Sequence, residues 1–294
     1  MSEDPSAFHE GELAIQSRLG VAEEMDRIGK SHVRPYMPEQ HRQFFASLQF
    51  IVLGVLDRAG RPWATAAFGA PGFVSSPDER SLSISGPILL RDHLNLDLRS
   101  RSKIGAVGLE LPTARRNRVN GVISASDEKG LSFDVDQSFG NCAQHIHRRK
   151  VNWRRASKPQ QGSARIERAP HLFADAEALI TRMDTFFIAS RTSRMSGSPV
   201  TGVDVSHRGG KPGFVNVLSD GRLEFPDFSG NNFFNTLGNI HDDGRVGLLF
   251  PDMSTNSAVV LTGEAVIRWE GQRTIEVTPH EVVLLERWST RKPA

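Results

Sequence analysis

Apolar and polar positions change their spacing along this chain, and each spacing implies an element. Over residues 10–25, Leu13, Ile15, Leu19, Val21 and Met25 recur among charged residues in an imperfect helical pattern. Phe44, Phe45 and Leu48 share one side of a second predicted helix over 38–48, and His32-Val33-Arg34-Pro35 reads as the loop between the two. The period then shortens. Residues 50–56 form a compact apolar run that ends in the turn signal Asp57-Arg58-Ala59-Gly60-Arg61-Pro62. Strands are predicted over 63–68, from 72 to 74, and over 81–85, where Leu82 and Ile84 alternate with serines. A short helix over about 93–99 interrupts them. Strands resume over 104–111 and 119–124, joined by the basic connection Thr113-Ala114-Arg115-Arg116-Asn117-Arg118.

Residues 154–161 are rich in Arg, Lys, Ser, Pro and Gln and mark a boundary. Beyond it the pattern predicts a helix over 175–183, strands over 186–190, 202–207, 214–218 and 222–225, a helix over 232–240, and strands over 246–250 and 258–267. The tail 278–288 suits a strand and a short helix equally. The expected organisation is a helical extension (1–48), a first unit (49–153), a linker (154–170) and a second unit (171–294).

The two units repeat. Pro71-Gly72-Phe73-Val74 recurs as Pro212-Gly213-Phe214-Val215, an offset of 213 − 72 = 141. Ile104-Gly105-Ala106-Val107 matches Val246-Gly247-Leu248-Leu249 at 246 − 104 = 142. A drift of one residue over several elements points to duplication. The strand–turn spacing predicts a mainly β fold with short helices, as tandem antiparallel barrels. Such a fusion places in one chain the two partners of a symmetric dimer, and a homodimer of the whole chain is compatible with it.

Composition narrows the function classes. Over 294 residues, 38% are hydrophobic and 24% charged, enough for a packed core. A net charge of +2 demands neither a nucleic acid nor a membrane as partner. Arg148 to Arg155, with Trp153, read as a solvated basic face rather than a nucleic-acid site. The polar start and the short apolar runs predict no secretory leader and no spanning helix, and the lone Cys142 fits a reducing compartment, so a cytoplasmic location is expected. Cys142, His145 and His147 are metal-ligating types, but a helix would not gather all three and no fourth ligand follows, so no metal is expected.

The units diverge where chemistry would sit. The second has Gly202-Val203-Asp204-Val205-Ser206-His207-Arg208-Gly209-Gly210 where the first has Trp63-Ala64-Thr65-Ala66-Ala67-Phe68. It also enters its helix through Pro226-Asp227-Phe228-Ser229-Gly230-Asn231-Asn232, against Ser85-Gly86-Pro87-Ile88-Leu89-Leu90-Arg91-Asp92. Small polar residues before a helix leave backbone N–H groups open to an anion, and Arg208 adds a cation. Ordinary capping by Ser229 or Asn231 would produce the same composition.

Several phrases carry a resemblance: Phe8-His9-Glu10-Gly11-Glu12-Leu13-Ala14, Arg115-Arg116-Asn117-Arg118, Asp136-Gln137-Ser138-Phe139-Gly140-Asn141-Cys142, Asp204-Val205-Ser206-His207-Arg208-Gly209-Gly210 and Pro226-Asp227-Phe228-Ser229-Gly230-Asn231. From about residue 8 to 270, the chain resembles a bacterial family of flavin-nucleotide-binding proteins related to pyridoxamine 5′-phosphate oxidase. The resemblance implies FMN-binding split barrels with the flavin at a barrel–barrel interface. It implies cofactor contacts at Ser206, His207, Arg208, Pro226, Asp227, Asn231 and Asn232, and at the pair Gln137-Ser138. It departs from the oxidases at Asn231-Asn232, where they carry an Arg-Lys pair, and it lacks their substrate-binding residues. The expected activity is an FMN-dependent oxidoreductase acting on a small redox substrate, with a nicotinamide as a candidate donor. Alternatives are a non-catalytic flavin carrier or sensor, and a haem-binding split barrel.

Overall fold

A computed structural model describes residues 6–140, 144–149 and 164–288. Its strands form two antiparallel sheets with the same internal order. The first comprises β1 (Phe50–Leu56), β2 (Pro62–Phe68), β3 (Val74–Ser75), β4 (Ser81–Ser85), β5 (Lys103–Glu110), β6 (Arg115–Asp127) and β7 (Gly130–Gly140), in the order β2-β1-β5-β6-β7-β4-β3. The second comprises β8 (Arg165–Ala169), β9 (Thr185–Arg191), β10 (Val203–Gly209), β11 (Asn216–Val217), β12 (Leu223–Pro226), β13 (Arg245–Asp252), β14 (Ser257–Arg268) and β15 (Thr274–Glu286). Its order is β10-β9-β13-β14-β15-β12-β11, with β8 paired to β15. Equivalent strands are therefore β2 and β10, β5 and β13, β6 and β14. Their first residues are separated by 203 − 62 = 141, 245 − 103 = 142 and 257 − 115 = 142. Among the described residues neither path closes on itself into a barrel.

The helices are α1 (Glu10–Arg18), α2 (Ala22–His32), α3 (Glu39–Ser47), α4 (Ala174–Arg182) and α5 (Asn235–Asp242). The first predicted helix is thus two, because Gly20 takes φ +71 between them. The predicted helix over 93–99 is absent. Leu94, Leu96 and Leu98 are buried in alternation with exposed or half-buried residues, a period of two rather than 3.6, and Leu90, Asn95 and Arg101 take positive φ. Three further expectations are revised. Arg115–Arg118, read as a connection, opens β6. Arg165–Ala169, read as linker, is strand β8; residues 154–163 of that linker lie outside the described residues. The tail left open between strand and helix is β15.

Strands β1, β2 and β9 are buried on both faces, and β1 shows it as an unbroken apolar run. They lie where the sheets meet, and one hydrophobic core holds Ile51, Leu53, Trp63 and Val107 together with Phe187, Val205, Leu249 and Val260. Two glycines set the approach. A Cβ on Gly105 would fall under 3.0 Å from the Val203 carbonyl, and one on Gly247 would do the same at Pro62 and Trp63. Gly105 and Gly247 are equivalent residues, and so are the partners they touch. The contact thus has an approximate twofold relation.

Candidate functional site

A cleft opens at one end of this junction, lined by residues of both sheets. The second sheet supplies Ser206, His207 and Arg208 from β10, and the rim segment Asp227 to Asn232 before α5. The first sheet supplies Arg116 and Arg118 from β6. Gln144 and His145 complete the lining.

Charge is unevenly neutralised here. Arg273 grips the Asp227 carboxylate from two nitrogens, at 2.7 and 2.9 Å. Arg208 approaches that same carboxylate only to 3.8 Å and otherwise donates to the His207 carbonyl at 3.4 Å. The negative charge is thus mostly taken, leaving Arg208 as a half-buried cation on the cleft wall. Arg116 Nη1 donates to His207 Nδ1 at 3.2 Å, which leaves the imidazole proton on Nε2. Burial, followed by the fields of Arg116 and Arg208, holds the His207 pKa well below 6.5. It is therefore a neutral ring among guanidinium groups.

The helix behind the cleft adds to this field. Helix α5 starts at Asn235 with Phe234 as N-cap, in the left-handed conformation and without a side-chain cap. Asn235, Thr236 and Leu237 of its first turn line the cleft together with Arg208, and the N-terminal end of a helix favours an anion. Asn231 and Asn232 stand on the rim rather than at the helix start. Asn231 Oδ1 accepts the Phe233 N–H at 3.3 Å, and Asn232 takes φ +58. Phe228 stacks on His145 with centroids 5.0 Å apart, giving the cleft a flat wall.

A buried network lies under the floor. Asp204 Oδ1 accepts from Asn120 at 2.7 Å and Arg118 at 3.3 Å, and Oδ2 accepts from Asn239 at 2.9 Å. Arg118 also donates to Ser206 Oγ, which accepts from Thr236 at 3.0 Å. The Ser206 oxygen is therefore engaged as an acceptor in the floor.

Six of the residues implied by the resemblance meet in this cleft: Ser206, His207, Arg208, Asp227, Asn231 and Asn232. Pro226 ends β12 beside it. Gln137 and Ser138 lie elsewhere. Gln137 donates to the Ala7 carbonyl at 3.1 Å, and buried Ser138 bonds His41 Nδ1 at 2.9 Å, so both fasten the N-terminal extension to β7. Gly209 leaves room for the His145 carbonyl rather than for a ligand, since a Cβ there would fall under 3.0 Å from it. Arg116 and Arg118 were not expected as lining; the basic run 115–118 was their signal, hidden by its reading as a loop. Cys142 lies outside the described residues, and no metal-binding group of acidic, His or Cys side chains occurs among the described ones.

The equivalent place in the other half is a cleft of about 650 Å³ lined by Phe68, Ile88, Leu90, Leu285 and Trp288. At the equivalent positions His207 becomes Ala66, Arg208 becomes Ala67, Arg116 becomes Ala258 and Arg118 becomes Val260. Only one of the two clefts is built for charge.

No protein-family model matches the chain, and no curated protein matches it. Among solved structures it is similar to HupZ of Group A Streptococcus, at 12% identity and a TM-score of 0.31, over 42% of this chain and 99% of that one. A second HupZ structure, of a variant with one histidine replaced by alanine, aligns at 10% identity and a TM-score of 0.28, over 35% and 98%. MrkH of K. pneumonia in its apo state aligns at 10% identity and a TM-score of 0.21, over 97% and 88%.

Proposed function

We propose that this chain is an FMN-binding, oxidoreductase-like protein of two fused split-barrel units, holding the flavin phosphate in the charged cleft. The observation that carries this reading is Arg208: a cation on the wall of a cleft whose nearby carboxylate is already held by Arg273. A dianionic phosphate requires charge-assisted donors. Arg208, Arg116 and the uncapped start of α5 form such a set. The oxidases' Arg-Lys pair is replaced by Asn231-Asn232 on the rim, and Arg116 supplies a cation from the facing sheet instead. The Phe228–His145 wall suits a planar ring. The shared strand order and the paired Gly105 and Gly247 contacts support an internal duplication.

When bound, the flavin supplies the hydride and electron chemistry. The protein's residues hold its phosphate, orient its ring and keep water away. The test is to release the cofactor from purified protein, identify it by mass, and record the absorbance spectrum before release. FMN at one equivalent per chain is the expected result. A Soret band and haem would overturn it. Turnover of NADH or NADPH by the yellow protein would separate an enzyme from a carrier.

A further inference from the structure

Helix α1 places a carboxyl group where, among the described residues, no cation is free to meet it. Glu12 is 4% exposed. Its Oε2 accepts the His9 backbone N–H at 2.9 Å, and its Oε1 accepts from the Asn235 amide. The charged and titratable groups around it come from several elements. On or beside its own helix are the His9 ring, 3.6 Å away, and Glu10. Strand β10 presents Asp204 and β6 presents Arg118, which are paired with each other. Lys103 of β5 and Asp136 of β7 line the same small polar cavity as Glu12 and pair at 2.8 Å. Asp242 of α5 acts on His9, whose imidazole burial pushes down and keeps neutral. Arg118 thus serves two carboxyl groups, and Asp204 has taken it. Burial, reinforced by Asp204, pushes the Glu12 carboxyl up to about 8.

The same helix holds the cleft rim. Gln16, fully buried, donates to the Phe233 carbonyl at 3.2 Å, and Phe8 sets its ring 5.2 Å from that of Phe233. Gly11 lies against Gly238 of α5, where a Cβ on either would fall under 3.0 Å from the other helix. Between these contacts Asn232 and Phe234 both take φ +58, a backbone state that persists only when its surroundings impose it.

We propose that α1 is a pH-operated clamp on the cleft: with Glu12 protonated it fixes the rim from Phe228 to Asn235, and with Glu12 ionised it releases it. The ionised form would bury a second negative charge beside Asp204 with no cation to pair it. That α1 thereby governs flavin affinity rests on the reading of the cleft given above.

The test is hydrogen exchange across residues 228–235, corrected for intrinsic base catalysis, from roughly pH 6.5 to 9.5 on full-length protein, beside FMN titrations at each pH. Glu12→Gln keeps the acceptor for the His9 N–H, turns a donor towards the Asn235 amide oxygen as the protonated acid does, and cannot ionise. In the wild type, rim protection falls by up to about tenfold per pH unit as pH rises towards the Glu12 midpoint and levels off above it, the slope of one linked proton, and FMN affinity falls with it. In Glu12→Gln both stay flat. Gly11→Ala forces α1 off α5 by sterics alone, so its rim is weakly protected at every pH; this decides the matter should Glu12→Gln fail to fold. The same pH response in wild type and Glu12→Gln, or full protection in folded Gly11→Ala, overturns the clamp. A pH-switched rim without FMN binding at any pH leaves the clamp standing and removes the flavin reading.

Discussion

The Arg118 guanidinium of β6 crosses the junction between the two sheets and meets the Asp204 carboxylate of β10 at 3.3 Å, with side chains only 5% and 12% exposed. A buried pair contributes little against an apolar replacement of both partners, but breaking it leaves a charge without compensation. Arg118→Met should therefore cost about 3–5 kcal/mol of unfolding free energy. Denaturant melts of wild type and variant measure it. A loss below about 1 kcal/mol would mean that Asn120 and Asn239 alone satisfy Asp204.

Arg208 should behave in the opposite way. Its long ion pair with Asp227 adds little to the fold, because Arg273 already holds that carboxylate. Arg208→Ala should leave the melting temperature nearly unchanged and weaken FMN binding by roughly tenfold to a hundredfold. Flavin fluorescence quenching on both proteins, with circular dichroism to verify folding, gives the ratio. Equal dissociation constants would remove Arg208 from the site.

The paired glycines allow a symmetric test of the junction. Gly105→Ala and Gly247→Ala each drive a methyl into backbone of the facing sheet and should each cost about 1–3 kcal/mol. Gly197→Ala, with nothing within 4 Å of its Cβ, is the control and should be neutral. If thermal melts show one junction variant as stable as wild type, the twofold relation fails at that contact.

Stability should also depend on pH through Glu12. Its acid is raised from 4.5 to about 8 in the folded protein, so between those values the folded chain holds a proton that the unfolded chain has released. The contribution is therefore full below pH 4.5 and is lost as pH rises to about 8. The slope is about 1.4 kcal/mol per pH unit. His9 and His207, pushed down by burial, act with the opposite sign below 6.5 in both proteins. The difference between wild type and Glu12→Gln isolates the carboxyl. Denaturant melts at pH 5 and pH 8 should show Glu12→Gln gaining on the wild type at the higher value, and parallel curves would refute this.

Strands were legible in the sequence where burial is simple. The apolar run of β1 and the alternation of Leu82 and Ile84 in β4 reappear as expected, because a period of two leaves few other solutions. The stretch around Leu94, Leu96 and Leu98 was misread as a helix although its period is two, and positive φ at Asn95 interrupts any helix there. At the site, Ser206, His207 and Arg208 could be found because the matching stretch of the first unit, Ala64 to Phe68, is nearly apolar. Arg116 and Arg118 could not, since what brings them to the cleft is strand order across two sheets, a long-range relation that local spacing does not encode. Glu12 was hidden for a similar reason: an acid in the first turn of a helix reads as a partner for the helix dipole until a second helix is seen to bury it.

The pairing of Gly105 with Gly247 has a consequence for stoichiometry. In an assembly of two identical chains, any residue placed in one cleft is placed in the other, so occupancy comes in twos and the sites can influence each other. Here the equivalent positions hold His207 and Ala66, or Arg208 and Ala67, within one polypeptide. On the proposed reading the chain presents a single anion-binding end, saturating as one independent class, while the opposite end varies without touching it.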